Sequence, residues 1–200
     1  MNEQLLIKQN GFKFEWQSKP EKTTTLKDGF SELREWQKRA FNLLGDSLLM
    51  ILNAPMGSGK SWLMCLLSAH KLKKNKQLRC IIAIPQTIIA PGFAIAKLQM
   101  PDGEKIDWNI HNNLCEGKVA KSTVNSAIRW LENKSFSLLG DRVLLCTHAT
   151  LVAVYKKLKE QSRLELLNNL LLWLDEAHHV RNTAIEDFRA LLLAMGLASW

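Results

Sequence analysis

Two stretches of this chain hold residue types that can do chemistry together. In "LNAPMGSGKSW", Leu52 to Trp62, two glycines, a lysine and a serine stand between apolar runs. Glycines let successive backbone N–H groups turn toward an anion, and a helix N-terminus just behind them adds positive potential. The run Ala54, Pro55, Met56, Gly57, Ser58, Gly59, Lys60, Ser61 follows G-x-x-x-x-G-K-[ST], with Ala54 in place of the first glycine. That pattern grips a polyphosphate: Lys60 reaches the β- and γ-phosphates, and Ser61 sets its hydroxyl on Mg²⁺. The bland alternative is a glycine-rich strand-to-helix turn with no ligand.

In "LLLWLDEAHH", five apolar residues end in Asp175, Glu176, Ala177 and His178. A carboxylate at the C-terminal tip of a parallel strand lies where ligands bind in open α/β sheets. Asp175 there holds Mg²⁺ through its bound water, and Glu176 orients or deprotonates an attacking water. The alternative is an acidic pair that merely opens a helix.

Chemistry of this kind needs buried strands ending at one edge. Four apolar runs qualify: 48–54, 80–84, 143–147 and 170–174. None alternates with polar residues, which fits strands buried on both faces, as in a parallel sheet. Helical patterns lie between them. Residues 31–44 carry Leu33, Trp36, Ala40, Leu43 and Leu44 at helical spacing, with Ser31 as candidate N-cap. Residues 58–75 are apolar nearly all round at Trp62 to Leu67, as in a helix wedged between layers. Residues 122–134 and 149–161 read as two further helices, and 101–117 as loop with one short strand near 106–110. Strand and helix in alternation predict an α/β fold. Residues 1–30 read as a polar extension, and 31–200 as the domain proper.

Composition narrows the partners. With 46% apolar and 23% charged residues the chain can build a core, and its net charge of +8 favours polyanions, nucleic acid first. Two basic runs stand out, 70–79 and 155–163; each also suits a solvated helix end. Cys65, Cys80, Cys115 and Cys146 form no C-x-x-C pair and read as reduced cysteines. No signal peptide or membrane span is evident, so a cytoplasmic protein is expected.

These stretches resemble the first RecA-like domain of superfamily 2 helicases and translocases of the DEAD/DEAH-box class. "APMGSGKS" is similar to motif I of that family, where alanine at the first position is common, and "LDEAHH" to motif II. "LREWQKRAF" resembles the upstream adenine-reading segment, "IAIPQTIIAPGF" motif Ia and "LLCTHATLV" the region of motif Ib. The resemblance covers about 32–180 and extends to restriction and repair motors. It implies a RecA-like P-loop domain, with a mainly parallel sheet flanked by helices, that uses ATP and Mg²⁺. Catalytic roles fall to Lys60, Asp175 and Glu176, magnesium to Ser61 and Asp175, and adenine reading to Gln37. Ala54 to Ser61 line the phosphates. Pro85, Gln86, Thr87 and Thr147 lie along a nucleic-acid track, with DNA expected before RNA, and His178 couples the two domains of the motor.

The family's Ser/Thr-Ala-Thr motif has only an imperfect echo in Gly196 to Ser199, and no second RecA-like domain with its arginine finger is recognisable. The expectation is the ATP-binding half of a helicase or translocase, hydrolysing ATP when a second RecA-like domain, in cis or on another chain, completes it. The alternative is a nucleotide- or nucleic-acid-binding module without turnover. A kinase-like or switch ATPase is a further rival, disfavoured by the pairing of "LREWQ" with "DEAH".

Overall fold

A computed structural model describes residues 6–9, 12–14, 29–30, 32–47, 51–54, 57–115, 120–177 and 182–194. In chain order the elements are β1 (Leu6–Gln9), β2 (Phe12–Phe14), α1 (Glu35–Leu44), β3 (Ile51–Asn53), α2 (Lys60–Lys74), β4 (Arg79–Ile84), α3 (Pro91–Ala94), β5 (Ile95–Gln99), β6 (Lys105–Asn109), β7 (Asn112–Asn113), α4 (Ala120–Glu132), β8 (Val143–Thr147), α5 (His148–Glu160), β9 (Leu170–Leu174) and α6 (Asn182–Ala194). They fall into two compact units, one of residues 1–74 with 95–108, the other of 75–94 with 109–200.

The second unit holds the parallel sheet, in the order β7-β8-β4-β9. Cys80 to Ile84 of β4 are buried throughout, because helices need no polar face from a central strand. Ile81 and Leu144 pack in one cluster with Trp130 and Leu131 of α4 and Leu151 and Leu158 of α5. The amphipathic pattern of 122–134 thus seats Ile128 and Leu131 in the core, with Val124 partly buried against it. Register aligns Ile84 with Thr147 and Ala83 with Leu174, so all three long strands end at one edge.

Two arginines fasten the opposite edge of that sheet. Arg79 donates to the carbonyls of Leu131 and Leu166 at 2.6 and 3.0 Å. Arg142, buried, donates to those of Asn75, Lys76 and Leu78 at 2.9, 3.0 and 3.2 Å. Arg142→Ala leaves these carbonyls short of a charged donor and should cost about 1–3 kcal/mol of stability. A lower urea midpoint at unchanged slope checks this.

In the first unit α1 packs on α2, and α2 on β5. Leu63 to Ala69 of α2 are all buried, as the all-round apolar pattern predicts. Lys71 closes the end of α1 by donating to the carbonyls of Gly45 and Ser47 at 2.9 and 2.7 Å. β5 and β6 form a two-stranded sheet. Ile106 and Trp108 of β6 turn inward while Lys105 and Asp107 face solvent, the period of a half-buried strand.

Three strand pairings were not foreseen. Within the expected extension 1–30, β1 and β2 form an antiparallel hairpin. β5 was unforeseen, because Pro91 and Gly92 just before it mark a break and its pairing with β6 is what makes it a strand. The apolar run 48–54 was expected as a strand of the parallel sheet. Among the described residues β3 instead pairs antiparallel with β1, Leu52 opposite Ile7. Three residues of β3 give too short a pattern to name a partner. The candidate cap Ser31 lies outside the described residues; α1 is capped at Arg34. Cys65, Cys80 and Cys146 are buried and Cys115 is half-buried, all unbridged. Burial, with Cys115 nearby, pushes the Cys146 thiol well above its usual value.

Candidate functional site

The phosphate-loop residues lie in the first unit, and α1 organises them. Gln37, at the third position of α1, accepts from the Arg34 backbone N–H at 2.9 Å through Oε1, the reciprocal half of a helix cap. Its Nε2 donates to the Gly59 carbonyl at 3.2 Å. The Arg34 guanidinium donates through Nη1 to the carbonyls of Gly57 and Ser58 at 3.2 and 2.7 Å. Three successive loop carbonyls are therefore held by two side chains of one segment. In a trans peptide the N–H opposes the C=O. The N–H groups of Ser58, Gly59 and Lys60 thus face away from Arg34 and Gln37, as an anion cradle requires.

Both glycines are needed here. Gly57 and Gly59 have φ of 73° and 90°, the left-handed region that side chains resist. A Cβ on Gly59 would meet Gln37 Nε2 at 2.6 Å, whereas one on Gly57 would meet nothing within 4 Å. Lys60 and Ser61 open α2, whose first turn carries no acid to offset its positive end. Ala54 is buried; Pro55 and Met56 lie outside the described residues. The Ser58 hydroxyl is buried without a hydrogen-bond partner among the described residues. An open position at Gly57, a waiting hydroxyl and an uncompensated helix start fit a bound polyphosphate with its magnesium.

Gln37 is only 3% exposed, with both ends of its amide engaged on the loop and the cap. Among the described residues one amide hydrogen and one lone pair of this group have no partner. Arg34 was missed by sequence reading. Its signal was present, three residues before Gln37 in "LREWQ", but the loop carbonyls it meets are more than twenty residues away.

The second unit gathers the other candidates at the carboxyl edge of its sheet. Pro85, Gln86 and Thr87 follow β4, with Gln86 and Thr87 exposed. Thr147 ends β8 and already serves as N-cap of α5, accepting from the Thr150 N–H at 3.2 Å. Asp175 follows β9, 7% exposed, its backbone N–H on the Ala83 carbonyl at 2.9 Å. Glu176 next to it adopts φ of 48°, a left-handed conformation that costs about 1–3 kcal/mol for such a residue. Strain at this position marks the turn where the carboxylate leaves the strand. His178 lies outside the described residues.

The basic runs turn out to be largely occupied. Lys73 pairs with Glu104, and Lys74 with Asp46 at 2.6 Å. Burial, and then the Lys74 charge, hold the His70 imidazole below its usual value, so it adds little positive charge at neutral pH. In the second run Lys156 meets Asp187 at 2.9 Å, Lys157 the Asn125 side chain at 2.7 Å and Arg163 Glu132 at 2.8 Å. These partners lie far along the chain, so the run of charge alone could not reveal them. Among the described residues no helix is long and apolar enough to cross a membrane.

Comparison with known proteins agrees with this geometry. A family model described as DEAD/DEAH box helicase matches residues 34–196. A protein of Bacillus subtilis (strain 168) named "Putative ATP-dependent helicase YeeB" is 33% identical over 150 residues, 74% of this chain and 23% of that relative. The chain therefore spans 23% of that relative's length. No solved structure matches. The family match begins at Arg34, takes in residues 54–61 and runs past Glu176; the chain belongs to the DEAD/DEAH box helicase family.

Proposed function

We propose that residues 31–200 are the first RecA-like half of a nucleic-acid translocase or helicase acting on DNA, and that a second RecA-like domain completes the motor. The observation that carries the nucleotide part is the clamp of Arg34 and Gln37 on the Gly57, Ser58 and Gly59 carbonyls. It fixes the loop as an anion cradle before any ligand arrives, so little reorganisation opposes binding. In this reading Lys60 holds the β- and γ-phosphates, and Ser61 and Asp175 hold magnesium. Bound Mg²⁺ supplies neutralisation of the charge between those phosphates. Glu176 orients the attacking water and accepts its proton. Gln37 reads adenine with its remaining hydrogen and lone pair. Pro85, Gln86, Thr87 and Thr147 line the strand's path, and His178 couples the two halves. Cytoplasm is the proposed location.

Lys60→Ala tests the core of this proposal. A charge-assisted contact to phosphate contributes roughly 1.5–3 kcal/mol, so ATP affinity should fall about tenfold or more with the fold intact. Titration with a fluorescent ATP analogue, alongside a circular dichroism spectrum, decides it. Unchanged affinity rejects the assignment.

The clamp makes a second prediction that separates Arg34 from Gln37. Arg34→Ala frees two loop carbonyls and touches no base, so affinity for ATP and GTP should drop alike, roughly tenfold. Gln37→Ala should weaken ATP more than GTP, because an unmet adenine partner is costly only to the nucleotide that offers it. Competition titrations with both nucleotides check this; equal losses in the Gln37 variant remove adenine reading from its role.

A further inference from the structure

A cavity of about 450 Å³ opens in the second unit, lined by Asn112 of β7, Ser126, Arg129 and Trp130 of α4, Phe136, and Asp141 just before β8. It lies at the amino edge of the sheet. Asp141 stands two residues before β8 begins, whereas Thr147 ends that strand. At about 3.3 Å per residue the four steps from Val143 to Thr147 alone span roughly 13 Å. The cavity is thus remote from the edge that carries Pro85, Thr147 and Asp175.

Its floor is fixed by Asp141. One carboxylate oxygen meets His111 Nδ1 at 2.7 Å, and the other accepts from the Leu138 N–H at 3.0 Å. The Asp141 carbonyl accepts from Trp130 Nε1 at 2.8 Å and Asn112 Nδ2 at 2.9 Å. The His111 bond, then the Leu138 N–H, hold the Asp141 carboxyl below its usual range. Asp141 is therefore committed to the protein, and its bonds orient the Trp130 ring and the Asn112 amide.

Other groups are left for a ligand. The Arg129 guanidinium and the Ser126 hydroxyl make no hydrogen bond or ion pair among the described residues, and the Asn112 amide oxygen is likewise uncommitted. Phe136 is half-buried, its ring centroid 6.0 Å from that of Trp130. A guanidinium suits phosphate oxygens, an aromatic ring suits a base, and an amide with a hydroxyl suits the base edge. A simple carboxylate would use Arg129 and leave ring and amide unmet. An apolar ligand would strand the guanidinium.

We propose that this cavity binds one nucleotide unit, its phosphate on Arg129 and its base against Phe136, at a site separate from the phosphate loop. The ligand is either a free mononucleotide or one unit of a single strand. The proposal stands independently of the ATP site.

Titration of the full chain with thymidine monophosphate, followed by proton–nitrogen correlation spectra, tests it. The Trp130 indole N–H signal should shift and saturate. Arg129→Gln should weaken binding about tenfold and Phe136→Leu, which keeps an apolar side chain there, at least about fivefold. Lys60→Ala should leave it unchanged, which separates this site from the phosphate loop. Tighter binding of an oligothymidylate than of the mononucleotide supports a strand as ligand; equal or weaker binding supports a free nucleotide. Inorganic phosphate that saturates the same signal as tightly as the mononucleotide would overturn the nucleotide assignment. So would an unmoved signal, or a shift that survives both pocket substitutions.

Discussion

The 200-residue chain, given ATP and Mg²⁺, should turn ATP over about 10³–10⁵ times more slowly than the same chain joined by a second RecA-like domain. In the proposed site the groups for binding are within the chain. Arg34 and Gln37 hold the phosphate loop open-handed, with Lys60 and Ser61 at the start of α2. What hydrolysis adds is charge on the transferring phosphoryl group, which needs a cation from the far side. Arg189 lies on α6, exposed, in the same unit that carries Asp175 and Glu176. An arginine following the acidic motif on its own domain is poorly placed to close from opposite. A loose transition state is stabilised mainly by such positioned charge, so its absence falls on the chemical step and spares ATP affinity. The measurement is steady-state phosphate release by the chain alone, with and without DNA or RNA, and again after the matching second domain is added. Fast, nucleic-acid-stimulated release by the chain alone would show that it is self-sufficient.

Glu176→Gln should lower kcat of the completed motor about 10²–10⁴-fold, the range for loss of a positioned proton acceptor, while ATP affinity stays near that of the parent. Glu176 sits in the left-handed region with φ of 48° beside Asp175, whose N–H is tied to Ala83 of β4. The sheet therefore dictates where this side chain starts. Glutamine has the same length and the same backbone tolerance, so the substitution removes charge and basicity with little change of shape. Glu176→Gly supplies the structural control. Glycine suits a positive φ, so that variant should be no less stable than the parent yet equally slow. Single-turnover hydrolysis, with binding measured separately, distinguishes a lost base from a lost ligand. A Glu176→Gln motor of undiminished rate would move the proton acceptor elsewhere. A Glu176→Gly chain that unfolds more readily would mean the turn is not strained.

Much of this protein is written locally. The runs at 80–84, 143–147 and 170–174 became β4, β8 and β9 because a continuous apolar run has no face to offer water; covering on both faces buries Cys80 to Ile84 of β4 throughout, β8 all but its last residue and β9 in part. The all-round apolar start of α2 fixed its buried place in the same way. The run 54–61 and the Asp175–Glu176 pair stand out in the sequence because the chemistry proposed for them demands particular residue types at short fixed spacing.

Tertiary structure decided what depends on partners distant in sequence. β3 could be read as a strand, but its antiparallel pairing with β1 could not, since a strand of only three residues fits more than one edge. β5 became a strand only by meeting β6. The basic runs looked like a surface for polyanions. Glu104, Asp46, Asp187 and Glu132 claim several of those charges, and opposite charges find each other through space without leaving a periodic trace along the chain. Arg34 is the sharpest case. Its neighbours show an ordinary helix start, and only folding brings its guanidinium to the carbonyls of Gly57 and Ser58, because loop carbonyls have no side-chain identity for a sequence to announce.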